Sequence, residues 1–333
     1  MTGLLQRMAS LKLTLIGIVG VIAMAFIPNR ISGFDTAWVA LPLAVLSANL
    51  LAAILVNRSF RRQAPLLVFH ICLLAVVLLL GAGVLMHMDG RIEIVEGEYF
   101  DPAGVVLTDV GRWHPDRLSD LAFAQGTIEV DYQQGLVRQR TRSEILKRDP
   151  DGRERRFAAG DSVSATFGDY RFVTTMNKGF TLIVSWSDNA GGIQFGSINF
   201  PSYPEFEWKQ VQEWTTPDGT PLVLELDFVE QAPRDSAWTL SSRLAPTRVS
   251  VREAATGTRS VQPGARIVVG TGTLGIEDVR MWMGYRIDYN PLLPWTFAAA
   301  MLALIALAIH FQGAFWPARR SSRSMSSIGP ASA

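Results

Sequence analysis

Cysteine is nearly missing from this chain: one residue, Cys72, stands among 333. That excludes a disulfide framework, a zinc-finger array and any C-x-x-C redox or haem-attachment motif within the chain. Charge is also scarce, at 18% Asp, Glu, Lys and Arg, and the net charge of +1 leaves no electrostatic footprint for nucleic acid. There is no Walker A loop, no G-x-S-x-G elbow and no H-E-x-x-H helix, so the common phosphate-binding, serine-hydrolase and zinc-protease frameworks are out. A quinone-linked thiol oxidase would need cysteine pairs. Histidine is limited to four positions, His70, His87, His114 and His310.

Apolar residues are abundant instead, at 48%, with a mean hydropathy of +0.19. A disordered chain needs the opposite composition, and a wholly soluble protein rarely carries this one. The excess is concentrated in four runs, residues 11–27, 38–56, 66–86 and 292–311. A helix needs about 20 apolar residues to cross a hydrocarbon core of about 30 Å. The last three runs meet that length. The first is at its lower limit and, with Arg7 before it, Lys12 at its start and Ala23-Met24-Ala25 near its end, also resembles a signal peptide.

Sidedness follows from the basic residues. Arg7 and Lys12 flank the first run, Arg58, Arg61 and Arg62 fill the second link, and Arg319, Arg320 and Arg323 follow the last run. Lys and Arg in short flanking segments are retained in the cytoplasm. The expected protein is therefore an α-helical integral membrane protein of four spans with both termini cytoplasmic. Its large domain lies on the other side of the membrane. Its parts are residues 1–88 with three spans, an external domain 89–290, a fourth span within 291–318 and a disordered tail 319–333. From Asp89 to Asp288 there are 29 acidic and 22 basic residues, so the external part is net negative.

That external part alternates with period 2, the mark of half-buried strands. Ile92 and Ile94, then Ile128, Val130 and Tyr132, then Phe180, Leu182, Val184 and Trp186, then Leu222, Leu224, Leu226 and Phe228, and finally Val249 and Val251 follow the pattern. Turn sequences separate the runs: Asp149-Pro150-Asp151-Gly152, Asp188-Asn189-Ala190-Gly191-Gly192, Pro217-Asp218-Gly219 and Pro263-Gly264. A mainly β domain, a sandwich or an open barrel, is expected. The charge-dense stretch 138–156 reads as a solvated hairpin, with a basic docking surface as the other reading.

Ionisable groups inside spans are usually functional. His70 is eight residues past Arg62, His310 nine residues before Arg319 and Asn49 nine residues before Arg58. At 1.5 Å per residue all three lie about 12 to 14 Å from the cytoplasmic charges. Two imidazoles at one depth on different helices can ligate one haem iron from opposite faces. The plainer reading makes Asn49 an interhelical hydrogen-bonding group toward either histidine. His87, between Met86 and Met88 at the outer end of the third run, offers haem iron or Cu(I) a ligand; an interfacial polar residue is the alternative. His114 reads as a surface-loop residue, and Cys72 as a small apolar one.

Three stretches carry a family likeness. Arg61-Arg62-Gln63-Ala64-Pro65-Leu66-Leu67-Val68-Phe69-His70 leads into Leu73-Leu74 and Leu79-Leu80-Gly81-Ala82. Gly90-Arg91-Ile92-Glu93-Ile94-Val95-Glu96-Gly97-Glu98 opens the external part. Met283-Gly284-Tyr285-Arg286-Ile287-Asp288-Tyr289-Asn290-Pro291 closes it. With the layout of spans, these resemble ResB-type proteins of System II cytochrome c biogenesis over most of the chain. The external domain is short for that family, and Pro291-Leu292 replaces the Pro-Gly expected before its last span.

The resemblance implies an assembly factor without catalysis of its own. It would act in a complex with a CcsA/ResC-like membrane partner to deliver haem and attach it to apocytochrome c. That partner carries a Trp-rich haem-handling motif; the nine Trp here are scattered. His70 matches the family's span histidine, whereas His310 rests on depth alone. Two other readings stand beside it. One is a membrane-anchored β scaffold of another envelope complex without haem, and the other a di-histidine haem b electron carrier.

Overall fold

The apolar runs fold as helices and the alternating segment as strands. The computed structural model describes residues 2–27, 35–148, 151–228 and 235–315. The tail with Arg319, Arg320 and Arg323, and the Asp149-Pro150 half of one expected turn, lie outside the described residues. Two compact units divide the chain, one of residues Met1–Leu85 with Pro291–Ala333, the other of Met86–Asn290.

The first unit contains α1 (Thr2–Met8), α2 (Leu11–Phe26), α3 (Ala40–Val56), α4 (Arg58–Arg62), α5 (Ala64–Met86) and α6 (Leu293–Phe315). Side chains occupy orphan N–H groups at the starts of α2 and α4 and of the 3-10 turn Thr36–Val39 that leads into α3. Ser10 accepts from the Lys12 N–H, Asp35 from Ala37 and Asn57 from Ser59. Three helices are long and apolar enough to cross a membrane: Thr36–Val56, Ala64–Met86 and Leu293–Gln312. The helix built on the first run has only 16 residues, about 24 Å at 1.5 Å each, so it falls short of the length the other three reach. It packs closely on α3 through small residues, since a Cβ on Gly20 would lie 3.2 Å from Pro42.

The second unit is almost entirely strand. In chain order these are β1 (Met88–Val95), β2 (Val106–Val110), β3 (Ala124–Tyr132), β4 (Arg138–Arg148) and β5 (Glu154–Gly160). Then come β6 (Ala165–Phe167), β7 (Tyr170–Ser187), β8 (Ile193–Asn199), β9 (Val211–Thr215) and β10 (Pro221–Asp227). The series ends with β11 (Trp238–Leu240), β12 (Arg248–Glu253), β13 (Gly257–Val261), β14 (Arg266–Val269) and β15 (Gly272–Tyr289). Each alternating run of the sequence lies in one of them, except that Phe228 stands one residue past β10, and the Asp188–Gly192, Pro217–Gly219 and Pro263–Gly264 turns connect consecutive strands.

The strands form three antiparallel sheets, one of seven strands and two of four. In the largest, β2-β1-β15-β7-β6 run side by side, with β8 on β7 and β14 on β15. The long pair β7 and β15 forms its spine from Tyr170↔Tyr289 to Ser187↔Thr273. The sheets share one apolar core, in which Phe172, Phe180, Leu182, Ile128, Leu224, Val251 and Ile287 have no exposed surface. Where sheets meet, the Tyr285 hydroxyl donates to Gln125 at 2.7 Å and lies 2.6 Å from the Ser143 hydroxyl. The charge-dense stretch is the β4–β5 hairpin, and its arginines pair with acids around them, Arg142 with Glu129 and Asp131, Arg156 with Glu144.

Candidate functional site

The helical unit has an open cleft of about 750 Å³ between its N-terminal helices. Its walls come from α2 (Leu11, Thr14, Ile18), α3 (Leu46, Asn49, Leu50, Ala53) and α5 (His70, Leu73, Val77), with Phe60 from α4. Two of the three polar residues expected at one depth, Asn49 and His70, therefore line one space. His310, on α6, is not among the residues lining it; its half-buried ring meets the neighbouring Phe311 edge-on.

His70 is held in a defined state. Its Nδ1 lies 2.7 Å from the Leu66 carbonyl one turn earlier. A carbonyl only accepts, so Nδ1 carries the proton and Nε2 keeps its lone pair in the neutral ring. A histidine oriented by a backbone carbonyl through one nitrogen is the usual arrangement for metal ligation through the other. Phe60 stacks on the ring at 3.9 Å between centroids with a 24° interplanar angle, and Phe69 meets it edge-on at 5.1 Å. The cleft thus combines an oriented imidazole with largely apolar walls.

Asn49 is committed elsewhere. Its Nδ2 donates to the Met8 and Ser10 carbonyls, and its Oδ1 accepts from the Thr14 hydroxyl at 2.7 Å. The buried amide ties the α1–α2 turn to α3. This is the interhelical bonding expected of such a residue, directed to the turn and not to a histidine. Nothing in the sequence pointed to Thr14, which lies one turn into α2 and is an ordinary helix residue by composition.

His87 belongs to the β unit, where its Nε2 pairs with Asp109 at 3.1 Å. Among the described residues no group of three or more His, Cys, Asp or Glu is arranged to hold a metal ion. His114 sits in a loop as its neighbours suggested, but its ring is engaged. Nε2 lies 3.0 Å from the Tyr170 hydroxyl, and Nδ1 accepts the Asp116 N–H. Burial holds this imidazole below its ordinary value, against the pull of Asp116.

Two further features escaped sequence reading. Lys178 has no exposed surface, donates to Glu205 at 2.7 Å and to the Met176 carbonyl, and lies 5.7 Å from the Tyr132 ring centre. Burial lowers its pKa, opposed by Glu205. Glu96, in the Glu96-Gly97-Glu98 motif, accepts the Ile128 N–H at 2.7 Å and so ties the end of β1 to β3. Burial raises its pKa, opposed by that hydrogen bond. Alternation marks side chains that face a core; it carries no sign of a single charge placed there.

The sequence matches no protein-family model and no curated protein.

Proposed function

We propose that the chain is a ResB-like membrane subunit of a System II-type cytochrome c maturation complex. In this reading it assists haem delivery and attachment to apocytochrome c outside the cytoplasmic membrane, together with a CcsA/ResC-like protein. The observation that carries the proposal is the oriented His70 imidazole on an apolar cleft, at the position where the sequence resembles the family's span histidine. The cleft fits haem in chemical kind: an apolar macrocycle needs apolar walls, and its iron needs a nitrogen lone pair. His70 would hold the haem iron through its Nε2, and His310 or the partner protein would supply a second nitrogen ligand.

The layout supports the same reading. A β unit of residues Met86–Asn290 is spliced between two apolar helices. In the proposed topology the short α2 also crosses, both termini are cytoplasmic and the β unit is periplasmic. The basic residues Arg7, Lys12, Arg58 and Arg62 support that sidedness.

Purified protein co-expressed with its partner is expected to show a Soret band that His70→Ala removes. Loss of the band in His310→Ala as well assigns the second ligand to this chain; its retention assigns it to the partner. Deleting the gene is expected to abolish covalent c-type haem staining while b-type haems remain. Colourless protein together with intact c-type staining sinks the reading and favours a scaffold. Cysteine labelling is expected to find residue 60 on the cytoplasmic side and residue 218 outside, and both on one side contradicts the topology.

A further inference from the structure

The two ends of the β unit are one place. Met88, at the start of β1, pairs with Tyr289, at the end of β15. The chain comes from α5, which ends at Met86, and continues into α6, which begins at Leu293. If α5 and α6 cross a bilayer, the Met88–Tyr289 end of the large sheet is its root at the membrane. The next strand, β2, runs antiparallel to β1 and reaches the root at Val110, opposite Met88. Its chain then overshoots the sheet, back in the direction from which β1 came. The Gly111 N–H donates to the His87 carbonyl at 2.8 Å, and a turn closes with the His114 N–H on the Gly111 carbonyl at 3.1 Å. Trp113 lies in that turn and is 61% exposed.

We propose that this turn is a membrane-contact surface of the β unit, with Trp113 seated in the headgroup layer of the lipid bilayer. The proposal rests on reading α5 and α6 as spans. Gly111 is bonded to the first residue after α5, and Trp113 is two residues further, within about 7 Å along the chain. The interfacial layer on each side of the hydrocarbon is of that thickness, about 5 to 7 Å. An indole there buries its apolar body and keeps its N–H wet, which is why tryptophan concentrates at membrane interfaces. Trp38 and Trp295, at the N-terminal ends of two candidate spans, are 51% and 66% exposed and fit the same belt.

The turn is also built to hold Trp113 outward. Behind it, the His114 ring is fixed by Tyr170 at 3.0 Å and packs edge-on to Tyr289 at 4.9 Å between centroids. The Arg117 N–H donates to the same Tyr170 hydroxyl at 3.1 Å. Asp116 has a φ of 49°, alone among described non-glycine residues in being positive. Aspartate tolerates this left-handed conformation in tight turns.

The test uses the whole chain with 5-fluorotryptophan, in phosphatidylcholine nanodiscs with and without 5-doxyl-phosphatidylcholine. Trp→Phe variants assign the fluorine resonances. The Trp113 resonance is expected to broaden as much as those of Trp38 and Trp295. Trp186, at the end of β7 opposite the Tyr170–Tyr289 pair, is expected to stay narrow. A Trp113 resonance that behaves like Trp186 while Trp38 and Trp295 broaden overturns the contact and leaves the spans standing. If Trp38 and Trp295 also stay narrow, the spanning assignment itself falls, and the contact with it.

Discussion

The Nε2 of His114 lies 3.0 Å from the Tyr170 hydroxyl, and this hydrogen bond, with that of the Arg117 N–H to the same oxygen, joins the loop after β2 to the first residue of β7. Since Nδ1 accepts the Asp116 N–H, the proton of the neutral ring sits on Nε2 and is donated to Tyr170. Protonation puts a second proton on Nδ1 and breaks the Asp116 contact.

Stability is therefore expected to depend on pH through this ring. Its surroundings are Tyr170, Tyr289, Asp116 and, more distantly, His87 with its partner Asp109. Burial lowers the folded pKa below 6.5. The unfolded chain then binds the proton more readily, so stability is full above 6.5 and declines as pH falls through the folded value. Thermal melts between pH 7.5 and 5 are expected to show that decline, and His114→Phe to flatten it. A slope unchanged in His114→Phe assigns the decline to other groups.

Asn49→Leu is expected to loosen the helical unit, because it removes the amide that bonds the Met8 carbonyl and one of the partners of the Ser10 carbonyl and the Thr14 hydroxyl. Loss of a membrane hydrogen-bonding residue of this kind costs about 1–2 kcal/mol. Thr14→Val removes one of these bonds and is expected to cost less. Denaturation of the full chain in detergent, followed by helical circular dichroism, measures both.

The Lys178–Glu205 pair is expected to respond unequally to its two partners. Glu205 is 45% exposed and can return to water, whereas Lys178 cannot. Glu205→Ala strands a buried ammonium and is expected to cost about 2–4 kcal/mol, at or below the range for a broken buried pair because one partner is half solvated. Lys178→Met keeps the volume and removes the charge, and is expected to lie within about 1 kcal/mol of the parent. Chemical denaturation of the two variants decides the order.

Gly97→Ala is expected to be disproportionately costly for a change of one methyl. Its φ is 83°, and a Cβ would lie 2.8 Å from the Arg280 guanidinium. The left-handed backbone alone costs about 1–2 kcal/mol for a residue with a side chain. Ala at Gly152, where φ is 82° with open space around it, isolates the backbone share from the clash. Equal losses at the two sites would show that Arg280 simply moves aside.

Much of the architecture was determined by local pattern. Runs of about 20 apolar residues have few folded options other than helix, and strict alternation in Leu222–Phe228 or Phe180–Trp186 leaves one face to bury. The turns at Asp188–Gly192 and Pro217–Gly219 were legible for the same reason, since their residues have backbone preferences of their own. Other features were decided only by contacts between residues far apart in the chain. The division into three antiparallel sheets depends on pairings such as β7 with β15, which join segments about a hundred residues apart. His70 and Asn49 were singled out by depth along their helices, and depth fixes one coordinate. Which way each side chain is rotated, toward Phe60 for one and toward Thr14 for the other, depends on how the helices pack. So do the burial of Lys178 and the outward display of Trp113: periodicity along a chain has no term for the neighbour that arrives from elsewhere in it.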